Sequence, residues 1–367
     1  MKVAIAAERI RVALRTLIAA GAIIVATRGA VFAANQGLWV ANGTNVLEFT
    51  TASGVHDSKP KVVLRSHSFG AAKGVVFDPN GNLWVIDAGN GGNIRPSLEE
   101  FTQKQIGELK KHRTPTPNVQ ITSSSFVFPE QAAFDANGNM WVSDSGANAI
   151  YALTPAQLAA GGETDLTTVI ESDPAFAGPI GIALHGGNLY VANNSSDTIF
   201  GFNSSHLPVI GSGASMLVPD VVLDNDGVGP WSPETYSIQS PWGLAFDADG
   251  DLFASNVEPP NLVCEFAAEQ IAASGAPTPV AVLNAVLVHV SKKVFVGILN
   301  VPNGLAIDQN GNLAAISSAE APRELFGIAE YVLPFVNFGG IPPETFIAGK
   351  KTNLKAPAGA IFGPEIK

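Results

Sequence analysis

The sequence predicts an all-β fold, a six-bladed β-propeller of four-stranded antiparallel blades, and three observations carry that prediction. The first is a repeat. Gly74-Val-Val-Phe-Asp-Pro-Asn-Gly-Asn-Leu-Trp-Val-Ile-Asp87 is written several times over, and its aspartates at 78, 135, 247 and 308 set a period of about 57 residues, longer than the roughly 40 to 50 of common propeller blades. The second is composition: charged residues are 14% with Gly 37 and Pro 25, against roughly 25% charged in ordinary soluble proteins. Short buried strands joined by many turns fit this better than charged surface helices.

The third observation is that the ends of the chain complement each other. Residues 357–363 read as a first strand with no second, and residues 37–49 read as second and third strands lacking a first. Joined, they complete one unit. With five internal units this makes six, closed by pairing the C-terminal strand with the N-terminal ones, which leaves only short blade edges exposed and holds the termini without a disulfide.

Taken in order, residues 1–33 read as an export signal. Lys2, Arg9, Arg11 and Arg15 precede an uncharged run from Leu17 to Thr27, and Val31-Phe32-Ala33 makes a small-residue cleavage site. The run is shorter than the roughly 20 residues a membrane span needs. Residues 34–367 then form a single domain, periplasmic or secreted. Removing the signal takes away five basic and one acidic side chains and leaves 16 basic and 31 acidic, a formal −15, which disfavours nucleic acid and anionic membranes as partners. Cys264 is the one cysteine, so no internal disulfide and no cysteine-pair metal site can form.

Later copies of the repeat run from Ala132 to Asp144, Gly181 to Asn193, Gly243 to Asn256 and Gly304 to Ser317. Each holds two strand-like runs around Asn-Gly, Asp-Gly or Gly-Gly, whose positive φ a tight hairpin turn demands. The first run opens on Gly or Ala, as suits strands crowding near an axis. The second carries an aromatic slot, Trp84, Trp141, Tyr190 and Phe253, read as packing between blades. A third run ends in Glu100-Phe101, Glu265-Phe266 or Glu330-Tyr331. A helical turn at Gln105, Gln157 and Gln270 follows, then a fourth strand such as 219–223 or 279–283.

The pattern Pro-x-Gly-Leu-Ala-Phe-Asp-x-x-Gly-Asn-Leu-Trp-Val-x-Asp resembles the NHL repeat and the wider class of six-bladed propellers that includes the SMP-30/gluconolactonase-like lactonases. The resemblance covers nearly all of residues 34–367 and implies the fold; propellers host many activities, so it does not by itself imply one.

Where copies disagree, the fold does not dictate the residue. The slots just before each first strand are Lys73, Gln131 with Glu130 beside it, Ile180, Trp242, Asn303 and Ala358, and in propellers such slots ring one mouth of the channel. Asp224 to Trp231 is a polar insertion that would overhang this face, with Trp231 as a contact. The ligand-binding candidates are therefore Lys73, Glu130, Gln131, Trp242, Asn303 and Trp231. The lactonase resemblance implies a divalent ion on the axis held by a Glu, an Asn and an Asp. Asn303 matches, Glu130 is one residue out of register, and Ala358 stands where Asp is expected.

Other signals are weaker. Asp247, Asp249 and Asp251 alternate like calcium ligands but occupy the hairpin-turn positions of other copies. The six histidines, at 56, 67, 112, 185, 206 and 289, show no metal spacing, and Cys264 has no nearby base. Two readings follow. One is a non-catalytic exported propeller that requires no cofactor and binds a protein, peptide or glycan on the face bearing the uneven slots. The other is a lactone hydrolase using Ca, Mn or Zn held by Asn303 and Glu130.

Overall fold

The computed structural model describes residues 36–50, 54–56, 59–109, 114–224, 238–258, 261–284, 288–290, 293–295, 301–318, 327–332, 345–348 and 354–364. The signal segment and Trp231 lie outside these residues. Within them the repeat folds as an antiparallel sheet: Ala72–Phe77 pairs with Leu83–Asp87, which pairs with Ser97–Phe101, which pairs with Val119–Thr122. The same order recurs in the sheets that begin with inner strands Pro129–Phe134, Pro179–His185, Pro241–Phe246 and Pro302–Ile307. In a further sheet Pro357–Pro364 takes the inner place and pairs with Gln36–Asn42, Gln36 lying opposite Pro364 and Asn42 opposite Pro357. The fold is an all-β propeller with four-stranded antiparallel blades.

Four hairpin turns differ from the expected tight two-residue form, while Gly186 and Gly187, both with positive φ between the paired His185 and Asn188, keep it. Gly81 takes φ +78° while Asn80 keeps a negative φ, and the chain closes with Asp78 N–H on the Asn82 carbonyl at 3.0 Å and Gly81 N–H on the Asp78 carbonyl at 2.9 Å. That is the longer loop in which a left-handed glycine follows the turn. The cause is the aspartate. Asp78 Oδ1 accepts the N–H groups of Asn80 and Asn82, and Asp135 and Asp308 repeat the arrangement. Asp247 does the same for Asp249 and Asp251. The alternating acids there are turn chemistry.

Inner strands approach one another at their opening glycines. A Cβ on Gly74 would stand 2.7 Å from the Glu130 carbonyl oxygen, one on Gly359 would stand 2.7 Å from that of Lys73, and one on Gly304 3.1 Å from that of Ala358. Glycine is required because backbone meets backbone. The aromatic slot fills the gap between neighbouring sheets, as expected. Trp39 meets Phe77 edge-on at 5.9 Å, Trp84 meets Phe134 at 6.5 Å, and Tyr190 meets Phe246 at 5.0 Å. These contacts sit inside separate buried apolar clusters, so the core is divided among the blade interfaces.

The connection from third to fourth strand holds two of the predicted helical turns, Gln103–Gly107 and Pro155–Ala160, while at Gln270 the chain makes a plain turn. Both helical turns are started by a reciprocal cap, Thr102 with Gln105 and Thr154 with Gln157. Beyond them the connection does something the sequence did not announce. Gly162–Glu163 reaches the neighbouring sheet and adds a parallel strand to Val119–Thr122. Ala214–Leu217 likewise joins Thr168–Ser172, and Gly54–His56 joins Thr345–Ala348. Gly275 bridges Leu223 in the same sense. Each of these arms covers an outer strand edge that would otherwise stand open.

Candidate functional site

The end of the inner strands opposite the hairpin turns is built by a recurring polar device. In three sheets the residue closing the second strand, Asn42, Asp87 or Asp144, reaches the loop that leads into the inner strand, whereas the side chains of Asn193 and Ser317 at the same place have no partner among the described residues. Asp87 accepts the N–H groups of Gly70, Ala71 and Gly89, and Asn42 Oδ1 accepts those of Lys355 and Ala356. Burial pushes the Asp87 carboxyl above its ordinary range in spite of these donors. Asp144 is fully buried and binds Val127 N–H at 2.9 Å and Phe128 N–H at 2.8 Å, with Gly146 and Ala147 N–H on the same carboxylate.

That clamp has a consequence on the surface. Val127 is 56% and Phe128 38% exposed, two large apolar side chains held outward by a rigid loop. Lys73 lies with its ammonium 4.7 Å from the centre of the Phe128 ring and 4.0 Å from Glu130 Oε2. Glu130 is buried and also accepts from Ser145 Oγ at 3.2 Å. Burial drives its carboxyl up to about 7; the lysine beside it and the serine pull it down, and Asp144 pushes it further up. Desolvation outweighs the ion pair here, as it does for carboxylates withdrawn from water.

The structure therefore brings Lys73 and Glu130 together and adds Val127 and Phe128, which lie outside the slots next to each opening Gly or Ala that the repeat singles out. Gln131 is half-buried, held by its backbone N–H to Ser143 Oγ at 3.2 Å. Trp242 is half-buried, and its carbonyl abuts Gly181. Asn303 is buried, with Nδ2 donating to Ser318 Oγ at 3.1 Å and to the Pro357 carbonyl at 3.0 Å, while its Oδ1 has no partner among the described residues. Below these slots a cavity of about 370 Å³ is bounded by inner-strand residues from Gly74 to Ile361, and Gln131 supplies its one polar side chain.

This arrangement does not fit a divalent ion. Asn303 Oδ1 is a free buried oxygen, but Glu130 is committed to Lys73 and Ser145, Ala358 offers no side-chain ligand, and the cavity wall carries no carboxylate. Among the described residues no group of three or more His, Cys, Asp or Glu side chains converges. Hard cations need several oxygen donors at once. Nucleophilic chemistry is no better served: Cys264 is fully buried and its thiol is pushed up to about 12 by burial. His185 stacks on Phe246 at 4.7 Å, and His206 pairs with Asp220 at 2.7 Å, both away from the slots.

With this geometry in view, comparison with known proteins gives the fold and nothing narrower. No protein-family model matches the chain, and no curated protein matches it. Solved structures do. A chain of a nidogen/laminin complex matches at TM-score 0.53 and 15% identity over 89% of this chain and 98% of that one. A protein of unknown function from Bacteroides caccae matches at TM-score 0.55 and 13% identity over 90% and 100%. A functionally unknown protein from Desulfotomaculum acetoxidans gives TM-score 0.54 and 13% identity over the same shares. At such identities the likeness is one of architecture, and the chain is a β-propeller. No helix among the described residues is long and apolar enough to cross a membrane.

Proposed function

We propose that this protein is an exported, NHL-like binding or scaffold module, a six-bladed ring that takes a protein or peptide ligand on the face carrying Lys73, Val127, Phe128 and Trp242. Closure is supported by the inner strands, since Pro357–Pro364 pairs with Gln36–Asn42 while its Gly359 abuts Lys73 on one side and its Ala358 abuts Gly304 on the other. The observation that carries the function is the Asp144 clamp, which fixes two exposed apolar side chains beside a lysine. Preorganised aromatic and basic groups at a rigid rim are what interface hot spots are made of. The nidogen/laminin complex supports the choice of a protein ligand by precedent for this architecture within a protein assembly.

Peptides selected from a displayed random library on the immobilised protein test this. Their binding should weaken about tenfold or more in Phe128→Ala or Trp242→Ala. Asn137→Ala, in the hairpin turn at the other end of the inner strand, should leave it unchanged. Equal binding by all variants removes the face. The lactone hydrolase is the second reading, favoured only by the open Asn303 Oδ1. Stoichiometric divalent metal in the purified protein, with lactone turnover lost in Asn303→Ala, would put it first.

A further inference from the structure

The arm Ala214–Leu217 is the outermost strand of its sheet, parallel to Thr168–Ser172. The Leu217 carbonyl accepts Asp173 N–H at 2.8 Å. The alternation of a parallel ladder then turns the backbone groups of Ser215 and Leu217 toward the sheet and those of Ala214, Met216 and Val218 away from it. Among the described residues no strand pairs with that outer side.

The side chains along it are also bare. Met216 is 62% and Val218 71% exposed, and Val209 in the loop before the arm is 80% exposed. Together they are three of the five large hydrophobic residues exposed on the described surface, the others being Val127 and Phe128. Open edges are normally guarded by charge, by proline within the strand, or by cover. From Leu207 to Pro219 the chain holds no Asp, Glu, Lys or Arg, and its prolines, Pro208 and Pro219, stand outside the strand. The arm Gly162–Glu163 shows the usual guard, with Glu163 bonded through both oxygens to Arg95 at 3.0 and 3.1 Å.

We propose that this edge joins two copies of the chain, Ala214–Val218 pairing antiparallel with itself about a two-fold axis through Met216. The segment suits its own copy. Met216 faces Met216 and Ala214 faces Val218, apolar pairs that each exchange two hydrogen bonds through the groups already turned outward, while Ser215 faces Leu217 in the non-hydrogen-bonded places between them.

Charge favours a second copy over a charged partner strand. The chain carries a net −11, so copies meeting elsewhere bring like charge together, whereas this strip is neutral and offers a charged partner nothing to pair with. Glu171, opposite Met216 on the parallel neighbour, is exposed on this face. In the dimer the two Glu171 strands lie three strand spacings apart, about 14 Å, beyond the roughly 8 Å over which exposed charges interact at physiological salt.

Two short strands bury less than the roughly 1,000 Å² of a stable interface, so the association is weak. Sedimentation velocity from about 10 µM to about 1 mM covers the range such a contact reaches. The wild-type chain should show a reversible monomer–dimer equilibrium, with amide exchange at Met216 and Val218 slowing as concentration rises. Met216→Lys should be monomeric at every concentration with an unchanged melting temperature. A wild-type monomer across the whole range overturns the proposal, as does a dimer that survives both Met216→Lys and Val218→Lys.

Discussion

Two carboxyls set the chemistry at the scale of single residues. Glu130 at the mouth and Glu99 in the third strand Ser97–Phe101 are both pushed up to about 7, chiefly by burial, though Ser68 and Ser97 hydrogen-bond Glu99 and Lys73 faces Glu130. A carboxyl raised on folding binds its proton more tightly in the native state, so its contribution is fully present below the unfolded value of 4.5 and is lost as pH rises through about 7. At about 1.4 kcal/mol per pKa unit the loss is at most about 3 kcal/mol for each group. Thermal melts should therefore give a higher melting temperature at pH 5 than at pH 8, with a flatter profile in Glu99→Gln. A melting temperature that climbs from pH 5 to pH 8 would contradict the assignment. Asp87, raised by burial as well, acts in the same sense.

At the scale of elements the hairpins were readable and the arms were not. Asp78, Gly81 and Trp84 announce strand, turn and strand because each acts within a few residues of itself in sequence, through turn bonds and a repeated slot. The two-residue form holds at Gly186-Gly187, but at Asn80-Gly81 the longer loop is not legible because Asp78 grips backbone groups on the far side of the glycine. Val127 and Phe128 were missed because Asp144, which holds them, lies 16 to 17 positions away. Of the rim candidates, Glu130 and Lys73 do meet, whereas Asn303 is tied to Ser318 and Pro357. Opening glycines offer the cleanest test of this scale. Gly74→Ala puts a methyl against backbone atoms of Glu130 and Gln131 that cannot step aside and should cost about 2 kcal/mol in urea unfolding. Gly107→Ala meets nothing within 4 Å and serves as the control. Equal stability of the two variants would refute the close approach of the inner strands.

The whole molecule is held by pairings between residues far apart in the chain. Pro357–Pro364 completes a sheet with strands some 300 positions earlier, its Phe362 and Ala360 packing with Leu38 and Val40. Truncation after Leu354 should therefore lower the unfolding midpoint, exposing the inner edge of Gln36–Asn42 and leaving Asn42 without the Lys355 and Ala356 donors. Denaturant unfolding followed by tryptophan fluorescence reads this directly, and an unaltered transition would show that the strand is dispensable. The complementary half-units at the two ends made this pairing legible from the sequence. Nothing comparable flagged the edge at Met216, since its exposure depends on which sheet the arm reaches.

The arms also bear on how such a chain can grow by duplication. Gly162–Glu163 is encoded with one sheet and docks on Val119–Thr122 of the preceding one, and Ala214–Leu217 repeats the offset on Thr168–Ser172. A copied segment cut at sheet boundaries would carry an arm without its dock and leave a dock without its arm. A unit that keeps arm and dock together is out of phase with the visible blade: it runs from the outer strand of one blade through the arm of the next, and a tandem copy in that frame inserts with each arm already beside its dock.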